Sequence, residues 1–174
     1  MKVSIFGLGY VGTVCAACLA DLGHEVTGVD VNPTKVKLLN DGVAPIVEAE
    51  IADLVASHAQ SGRLTATEDV NDAVARSELS LICVGTPSRP NGALDTSAVE
   101  KVAEQIGQAI ARRGSFHSVV IRSTVLPGTT RGRVLPILEK TTGGKLGERF
   151  GLASNPEFMR EATAVKDFRN PPRP

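Results

Sequence analysis

The chain has 174 residues, 42% hydrophobic and 22% charged, and its 19 Lys and Arg residues balance its 19 Asp and Glu residues. This composition excludes a disordered tail, and the lack of net charge argues against nucleic acid or an anionic membrane as partner. We find no stretch of about 18 apolar residues and no secretory leader pattern at the first residues. Three cysteines without secretory context indicate reduced thiols in a cytoplasmic protein.

Short β-rich runs alternate with longer helical ones along the chain, which predicts a single α/β domain with a doubly wound, mostly parallel sheet. In chain order, strands are predicted at residues 2–6, 24–29, 65–67, 79–84, 118–121 and 150–153. Helices are predicted at 11–22, 33–40, 49–60, 70–76, from Asp95 or Thr96 to 113, and at 129–140, where Pro136 is expected to disturb the helix. Residues 170–174 are predicted to form a loop.

A glycine pattern directly follows the first predicted strand and opens the first helix. Gly7, Gly9 and Gly12 form G-x-G-x-x-G, and Asp30 stands at the end of the second strand. In such a loop the first glycine permits a tight turn, the second lets the backbone approach a pyrophosphate, and the third allows helix and strand to pack closely. The helix N-terminus adds free N–H groups. This context predicts a Rossmann-like dinucleotide-binding domain.

Asp30 is expected to select the cofactor. Its carboxylate would accept hydrogen bonds from the adenosine ribose, whereas a 2′-phosphate would meet like charge, and residues 31–33 supply no arginine to receive it. NAD is therefore favoured over NADP. Two alternatives stay open at this point: a methyltransferase that binds S-adenosylmethionine with a similar loop and acidic residue, and a glycine turn that only links strand and helix.

Other reactive residues are better interpreted as structural. Cys15 and Cys18 form C-x-x-C inside the first predicted helix, among small apolar residues, and no second pair completes a zinc site. We interpret them as packing residues and predict no metal. Cys83 falls within a buried strand and is interpreted in the same way. The only tyrosine, Tyr10, lies in the glycine loop, so the catalytic Tyr-x-x-x-Lys of short-chain dehydrogenases is absent.

Polar residues also follow the fourth and fifth predicted strands, where Thr86 and Thr124 stand. Because doubly wound sheets bind ligands at the carboxyl ends of their strands, both are candidates for a nucleotide site, with ordinary turns as the alternative. Further on, Glu157 and Glu161 lie four residues apart. If the chain is helical from Glu157, they share one face, and the spacing fits a functional pair and a solvated helix start equally well.

Six segments together resemble the UDP-glucose/GDP-mannose dehydrogenase family, with the closer likeness to its GDP-mannose branch. They cover nearly the whole chain in order, and the last three are specific to this family. The segments are F-G-L-G-Y-V-G (6–12), G-V-D-V (28–31), P-I-V-E (45–48), C-V-G-T-P (83–87), S-T-V-L-P-G-T (123–129) and N-P-E-F (155–158).

The resemblance implies a four-electron oxidation of the kind used in alginate-type polysaccharide synthesis. The C6 alcohol of a nucleotide sugar becomes a carboxylate through aldehyde and enzyme-thioester stages, and two NAD are reduced. Thr124 would help to hold the water that hydrolyses the thioester. Glu157 and Glu161 would lie at the sugar end, Glu161 in contact with the substrate, with one of the two acting as a base. Beside the three loop glycines, the implied cofactor contacts are Tyr10, Val11, Asp30, Lys35, Thr86 and Thr124.

The chain also departs from the family pattern. Where the family usually carries Glu-Pro-Gly-Leu, residues 48–51 read Glu-Ala-Glu-Ile, so a different loop shape is open here. The family's nucleophilic cysteine, with its lysine and asparagine partners, a central dimerisation helix and the nucleotide-sugar domain would all lie beyond residue 174. We therefore expect residues 1–174 to be the NAD-binding domain of a longer, homodimeric enzyme, unable to complete the oxidation alone. A free-standing NAD-binding module without catalysis is the alternative, and the choice between GDP-mannose and UDP-glucose stays open.

Overall fold

Within residues 1–171, which the computed structural model describes, six strands form one sheet in the order β3-β2-β1-β4-β5-β6. Every neighbouring pair is parallel, which confirms the doubly wound fold. The order reverses between β1 and β4, and this reversal opens a crevice at the carboxyl edge of the sheet. The strands are β1 Lys2–Phe6, β2 Glu25–Val29, β3 Leu64–Thr67, β4 Leu79–Ile82, β5 His117–Ile121 and β6 Phe150–Ser154.

Helices cover both faces of the sheet and enclose two apolar cores. The first core lies beneath α1, α2, α3 and α7, and the second beneath α4, α5 and α6. The helices are α1 Tyr10–Asp21, α2 Pro33–Asn40, α3 Ile51–Gln60, α4 Val70–Arg76, α5 Ser97–Arg113, α6 Leu135–Thr142 and α7 Ala164–Arg169. No helix among residues 1–171 is long and apolar enough to cross a membrane.

The central strands are apolar on both sides, which is why both faces need a cover. In β1, Ile5 belongs to the first core and Phe6 to the second, and Leu81 and Ile82 of β4 divide in the same way. Successive side chains of a strand point to opposite faces, so a nearly continuous apolar run is buried only between two layers of helices. Each such side chain stabilises the fold by about 1.5–3 kcal/mol.

Pro136 disturbs the sixth helix, as the sequence predicts. Residues Thr130–Val134 form a π-helical turn, and α6 begins at Leu135 with the proline in its first turn. Proline has no N–H and its ring crowds the carbonyl of the residue four before it, which here is Gly132. The wider π-helical turn relieves that conflict at the boundary between the two segments.

Helix α7 is an element that sequence patterns did not predict. It has six residues, too few for a helical period to stand out, and its Ala164 and Val165 are fully buried in the first core. It packs against α1, although β6, the strand that precedes it in the chain, lies at the far edge of the sheet. The connecting residues 155–163 therefore pass back across the sheet.

Candidate functional site

The three glycines of the loop after β1 occupy three different environments. Gly7 has φ +96°, and its N–H donates to the carbonyl of Val29 at 2.8 Å. A Cβ added to Gly9 would meet nothing within 4 Å, whereas one added to Gly12 would lie 1.8 Å from the carbonyl oxygen of Gly7. The geometry thus matches a turn at Gly7, an open approach at Gly9 and close packing at Gly12.

The loop leads directly into α1, whose first turn holds Tyr10 and Val11. Gly9 is the N-cap, and its carbonyl accepts the first helical hydrogen bond, from the N–H of Thr13 at 2.9 Å. The N–H groups before Thr13 have no acceptor within the helix and point past its N-terminus. Together with the positive end of the helix dipole, they form the kind of backbone cradle that binds a pyrophosphate.

Asp30 lies at the end of β2 and is bonded to the glycine loop. Its Oδ2 accepts the N–H of Leu8 at 2.7 Å, and its Oδ1 accepts the N–H of Asn32 at 2.9 Å. The Nζ of Lys35, in α2, is 3.5 Å from Oδ2. An ionised carboxylate has about four lone-pair sites, so Asp30 keeps capacity for ribose hydroxyls. The structure thus brings a cation beside Asp30, although residues 31–33 carry none.

The loops after β4 and β5 meet at the same edge. The hydroxyl of Thr86 donates to the carbonyl of Thr124 at 2.7 Å. Ser123 ties the loops further, since its Oγ donates to the carbonyl of Val84 at 2.6 Å. Thr124 is exposed and Thr86 half-buried. The structure therefore brings Thr86 and Thr124, which follow separate strands in the sequence, into contact.

Residues 157–161 do not form a helix, so Glu157 and Glu161 do not share the helical face that their spacing allowed. Residues 155–160 have no regular structure, and 161–163 form a turn. Glu157 accepts the N–H of Met159 at 2.7 Å, Asp167 accepts that of Arg160 at 3.0 Å, and the N–H of Thr163 closes a turn to the carbonyl of Arg160 at 3.1 Å. A left-handed residue lies within this turn, Ala162 with φ +68°, which is incompatible with a continuing helix.

We call residues 155–163 the crossover segment, because they run from the end of β6 to α7 over the carboxyl edge. At its start, the N–H of Asn155 donates to the carbonyl of Ile121, at the end of β5, at 2.9 Å. The Arg122 guanidinium donates to the side-chain oxygen of Asn155 at 2.8 Å. Near its end, the N–H of Ala162 bonds to Glu48 at 2.8 Å. The segment thus carries Glu157, half-buried, and Glu161, exposed, along the edge that holds the glycine loop.

Glu48 is a site residue to which the sequence analysis gave no role. Its Oε2 accepts both the hydroxyl of Tyr10 and the N–H of Ala162. Burial, followed by the hydrogen bond to Glu48, raises the pKa of Tyr10 to about 12. The segment P-I-V-E marks Glu48 within the family pattern, but its pairing with Tyr10 spans 38 residues and leaves no local signal.

The cysteines behave as packing residues, as interpreted from the sequence. Cys15, Cys18 and Cys83 are all buried and free. Burial raises the pKa of Cys18 to about 12, and contact with Cys15 followed by burial raises the pKa of Cys83 well above its usual range. These two thiols are therefore poor nucleophiles. Among residues 1–171, no group of three His, Cys, Asp or Glu residues is arranged to hold a metal ion.

Comparison with known proteins places this geometry in a family. Residues 1–174 match the family described as "UDP-glucose/GDP-mannose dehydrogenase family, NAD binding domain". The GDP-mannose 6-dehydrogenase of Azotobacter vinelandii is 52% identical over 172 residues, which are 99% of this chain and 39% of the relative. The chain therefore spans about two fifths of the length of such relatives.

Solved structures agree with the sequence match. A ternary complex of GDP-mannose dehydrogenase from Pseudomonas aeruginosa superposes with a TM-score of 0.97 at 53% identity, covering 99% of this chain and 39% of that one. A UDP-glucose dehydrogenase from Pyrobaculum islandicum gives 0.91 at 43% identity, covering 97% and 38%. These matches decide against the methyltransferase alternative. The chain belongs to the UDP-glucose/GDP-mannose dehydrogenase family and forms a Rossmann-like domain whose cofactor is NAD.

Proposed function

We propose that this chain is the cofactor-binding part of a cytoplasmic nucleotide-sugar 6-dehydrogenase that oxidises the C6 alcohol of GDP-mannose to a carboxylate with two NAD, for polysaccharide synthesis. One observation carries the proposal: the edge with the glycine loop also holds the crossover segment and its two carboxylates, Glu157 and Glu161. GDP-mannose is favoured over UDP-glucose because relatives named for the former are 49–53% identical, against 42–43% for those named for the latter.

The proposed cofactor contacts follow the edge from β2 to β5. The N-terminus of α1 receives the pyrophosphate, and Asp30 with Lys35 receives the adenosine ribose. Thr86 and Thr124 stand on the other side of the crevice between β1 and β4, where the nicotinamide half of an extended dinucleotide would lie. The contacts at the N-terminus of α1 are Gly7, Gly9, Tyr10, Val11 and Gly12.

The proposed chemistry divides between this chain and the remainder of the enzyme. Bound NAD accepts a hydride in each of two oxidations. Thr124 would help to hold the hydrolytic water, and Glu157 or Glu161 would accept its proton, since a carboxylate in reach of a water can act as a general base. Glu161, which is exposed, would contact the sugar. The nucleophilic cysteine and the nucleotide pocket would belong to a C-terminal part, and a central helix would join two copies into a homodimer.

Activity of the complete reading frame tests this proposal. Its purified product, given GDP-mannose and NAD, should form GDP-mannuronate with two NADH per sugar, and UDP-glucose should react more slowly. The 174-residue chain alone should bind NAD but form no sugar acid. Glu157→Gln and Thr124→Ala should each lower kcat by about 10²-fold or more in the complete product, and Glu104→Ala, on the exposed face of α5, serves as control.

The outcomes separate the alternatives. NAD binding without turnover of any nucleotide sugar by the complete product would leave a free-standing NAD-binding module. Sugar-acid formation by the 174-residue chain alone would contradict the division of labour proposed above. Equal kcat for Glu157→Gln and the Glu104→Ala control would remove Glu157 from the catalytic residues.

A further inference from the structure

The carboxylate of Glu48 connects two segments that are far apart in the sequence. One oxygen, Oε2, accepts the hydroxyl of Tyr10 and, at 2.8 Å, the N–H of Ala162. Tyr10 is the first residue of α1, and Ala162 directly follows Glu161. A single atom therefore joins the start of the cofactor helix to the end of the crossover segment.

Both hydrogen bonds are of a strong kind. A hydrogen bond to a carboxylate is about twice as strong as one between neutral groups. The phenol of Tyr10 is protonated at neutral pH and donates to the carboxylate, and its pKa is raised to about 12 by burial and by this bond. The bond from Tyr10 is partly shielded from water, since Tyr10 and Glu48 are half-buried, whereas Ala162, the donor of the other bond, is exposed. The contact should persist in solution.

The Glu48 bond also holds a strained residue in place. Ala162 has φ +68°, a left-handed conformation that residues other than glycine rarely adopt. The neighbouring bonds of Arg160 and Thr163 lead to Asp167 and so fasten the crossover segment to α7. The bond to Glu48 is what ties Ala162 directly toward the glycine loop. Without the bond to Glu48, we expect the turn after Glu161 to relax.

The carboxylate at this position also carries a cost in stability. The second oxygen of Glu48, Oε1, is buried and has no hydrogen-bond partner within the described part of the chain. Leaving a buried acceptor unpaired costs free energy, and this cost is set against the two hydrogen bonds that Oε2 accepts from Tyr10 and Ala162. The benefit of Glu48 therefore lies in the two segments that its other oxygen, Oε2, connects.

We propose that Glu48 is a positioning residue that couples the cofactor loop to the crossover segment, so that binding of NAD orders Glu161. The inference rests on the proposed function, in which Tyr10 contacts the cofactor and Glu161 the sugar. Coupling of this kind is reciprocal, so an ordered crossover segment also favours the cofactor-binding conformation of Tyr10.

Hydrogen–deuterium exchange of the peptide covering residues 155–163 tests this coupling in the 174-residue chain, with and without NAD. In the wild type, NAD should slow exchange of this peptide. Glu48→Ala should speed its exchange about tenfold without NAD and abolish the NAD effect, as expected for a lost charge-assisted hydrogen bond. Glu48→Gln should stay within about threefold of wild type, because one amide oxygen can still accept both donors.

Tyr10→Phe separates the two halves of the bridge. It keeps the bond from Ala162 to Glu48 but cuts the one to α1. Exchange without NAD should therefore remain near wild type, while the slowing by NAD is lost. Glu104→Ala, which removes an exposed glutamate from α5, should behave as wild type in both states. Peptides from β5 report whether each variant is folded.

The proposal is overturned if Glu48→Ala exchanges like Glu104→Ala, or if NAD binds the wild type without slowing the 155–163 peptide. Should Glu48→Ala fail to fold, Tyr10→Phe tests the coupling: loss of the slowing by NAD supports the proposal, and retention of that slowing overturns it. A calorimetric titration run in parallel keeps the two proposals apart. If NAD does not bind at all, the proposed function fails, and the exchange rates without NAD still report whether Glu48 holds the crossover segment.

Discussion

The carboxylate of Asp30 accepts the backbone N–H of Leu8 at 2.7 Å, so the residue that would read the cofactor's ribose also fixes the shape of the glycine loop. Leu8 itself is fully buried in the first core, and its side chain fills the space that a Cβ on Gly28 would need. Recognition of the ribose and geometry of the pyrophosphate cradle therefore depend on one side chain.

We expect Asp30→Asn to weaken discrimination between NAD and NADP by about tenfold or more, because it removes the charge that repels a 2′-phosphate. Lys35, 3.5 Å from the carboxylate, is then free to attract that phosphate. NAD affinity should also fall, since one of the two amide-to-carboxylate bonds of Asp30 is lost. Calorimetric titration with both dinucleotides measures the ratio; an unchanged ratio would remove Asp30 from cofactor selection.

The glycines at positions 9 and 12 should respond to alanine in opposite ways. Gly9→Ala should leave the melting temperature nearly unchanged, because its Cβ meets no atom within 4 Å, yet weaken NAD binding about tenfold or more by blocking the backbone approach. Gly12→Ala places a Cβ 1.8 Å from a carbonyl oxygen and should destabilise the fold by about 1–3 kcal/mol or more. Thermal unfolding and NAD titration of both variants provide the check, and full NAD affinity in Gly9→Ala would contradict the assignment.

Glu50 stands where the family usually carries glycine, and it adopts φ +64°, a conformation that glycine favours. The loop thus takes a left-handed turn despite the departure in sequence. Replacing Glu50 with either glycine or alanine removes its exposed ion pair with Arg169, and only alanine keeps a Cβ. Glu50→Gly should therefore be more stable than Glu50→Ala by about 1 kcal/mol. Chemical denaturation compares them, and an equal or more stable alanine variant would rule out the left-handed backbone here.

His117 should make the stability of the domain depend on pH. Its ring lies fully buried, with Nε2 2.8 Å from the hydroxyl of Ser80 and Nδ1 3.2 Å from the guanidinium of Arg113. Burial, followed by the charge of Arg113, lowers the pKa of His117 to about 4. Between that value and an unfolded pKa of about 6.5, the unfolded chain binds more protons than the folded one.

The contribution of neutral His117 is therefore complete above about pH 6.5 and is lost as the pH falls toward 4, by a total on the order of 3 kcal/mol. Urea denaturation at pH 7 and at pH 4.5 measures the difference. His117→Gln should be less stable at pH 7, because glutamine cannot reproduce both hydrogen bonds of the ring, to Ser80 and to Arg113. Its stability should change less with pH. If His117→Gln shows the same pH dependence of stability as the wild type, other groups cause the loss of stability at low pH.

The sequence by itself determined the sheet, its parallel strands and the glycine loop. Buried central strands such as Leu79–Ile82 carry apolar residues on both faces. Such a run can be recognised in the sequence without knowing which strands lie beside it. The roles of Gly7 and Gly12 are likewise local, because the turn and the close contact between helix and strand arise within a few residues. The disturbance of the sixth helix at Pro136 is predictable too, because it arises from the proline itself.

Only the tertiary structure decided how the polar residues meet. The strand order brings Thr86 beside Thr124, and the return of the chain from β6 to α7 brings Ala162 to Glu48, which also binds Tyr10. These pairings leave no periodic pattern in the sequence. The four-residue spacing of Glu157 and Glu161 allowed a helix, but the backbone of this segment turns left-handed at Ala162 and bonds to the side chains of Glu157 and Asp167. Periodicity reports which face of an element is buried; it carries no information on which distant carboxylate, hydroxyl or amide the fold brings within hydrogen-bonding distance.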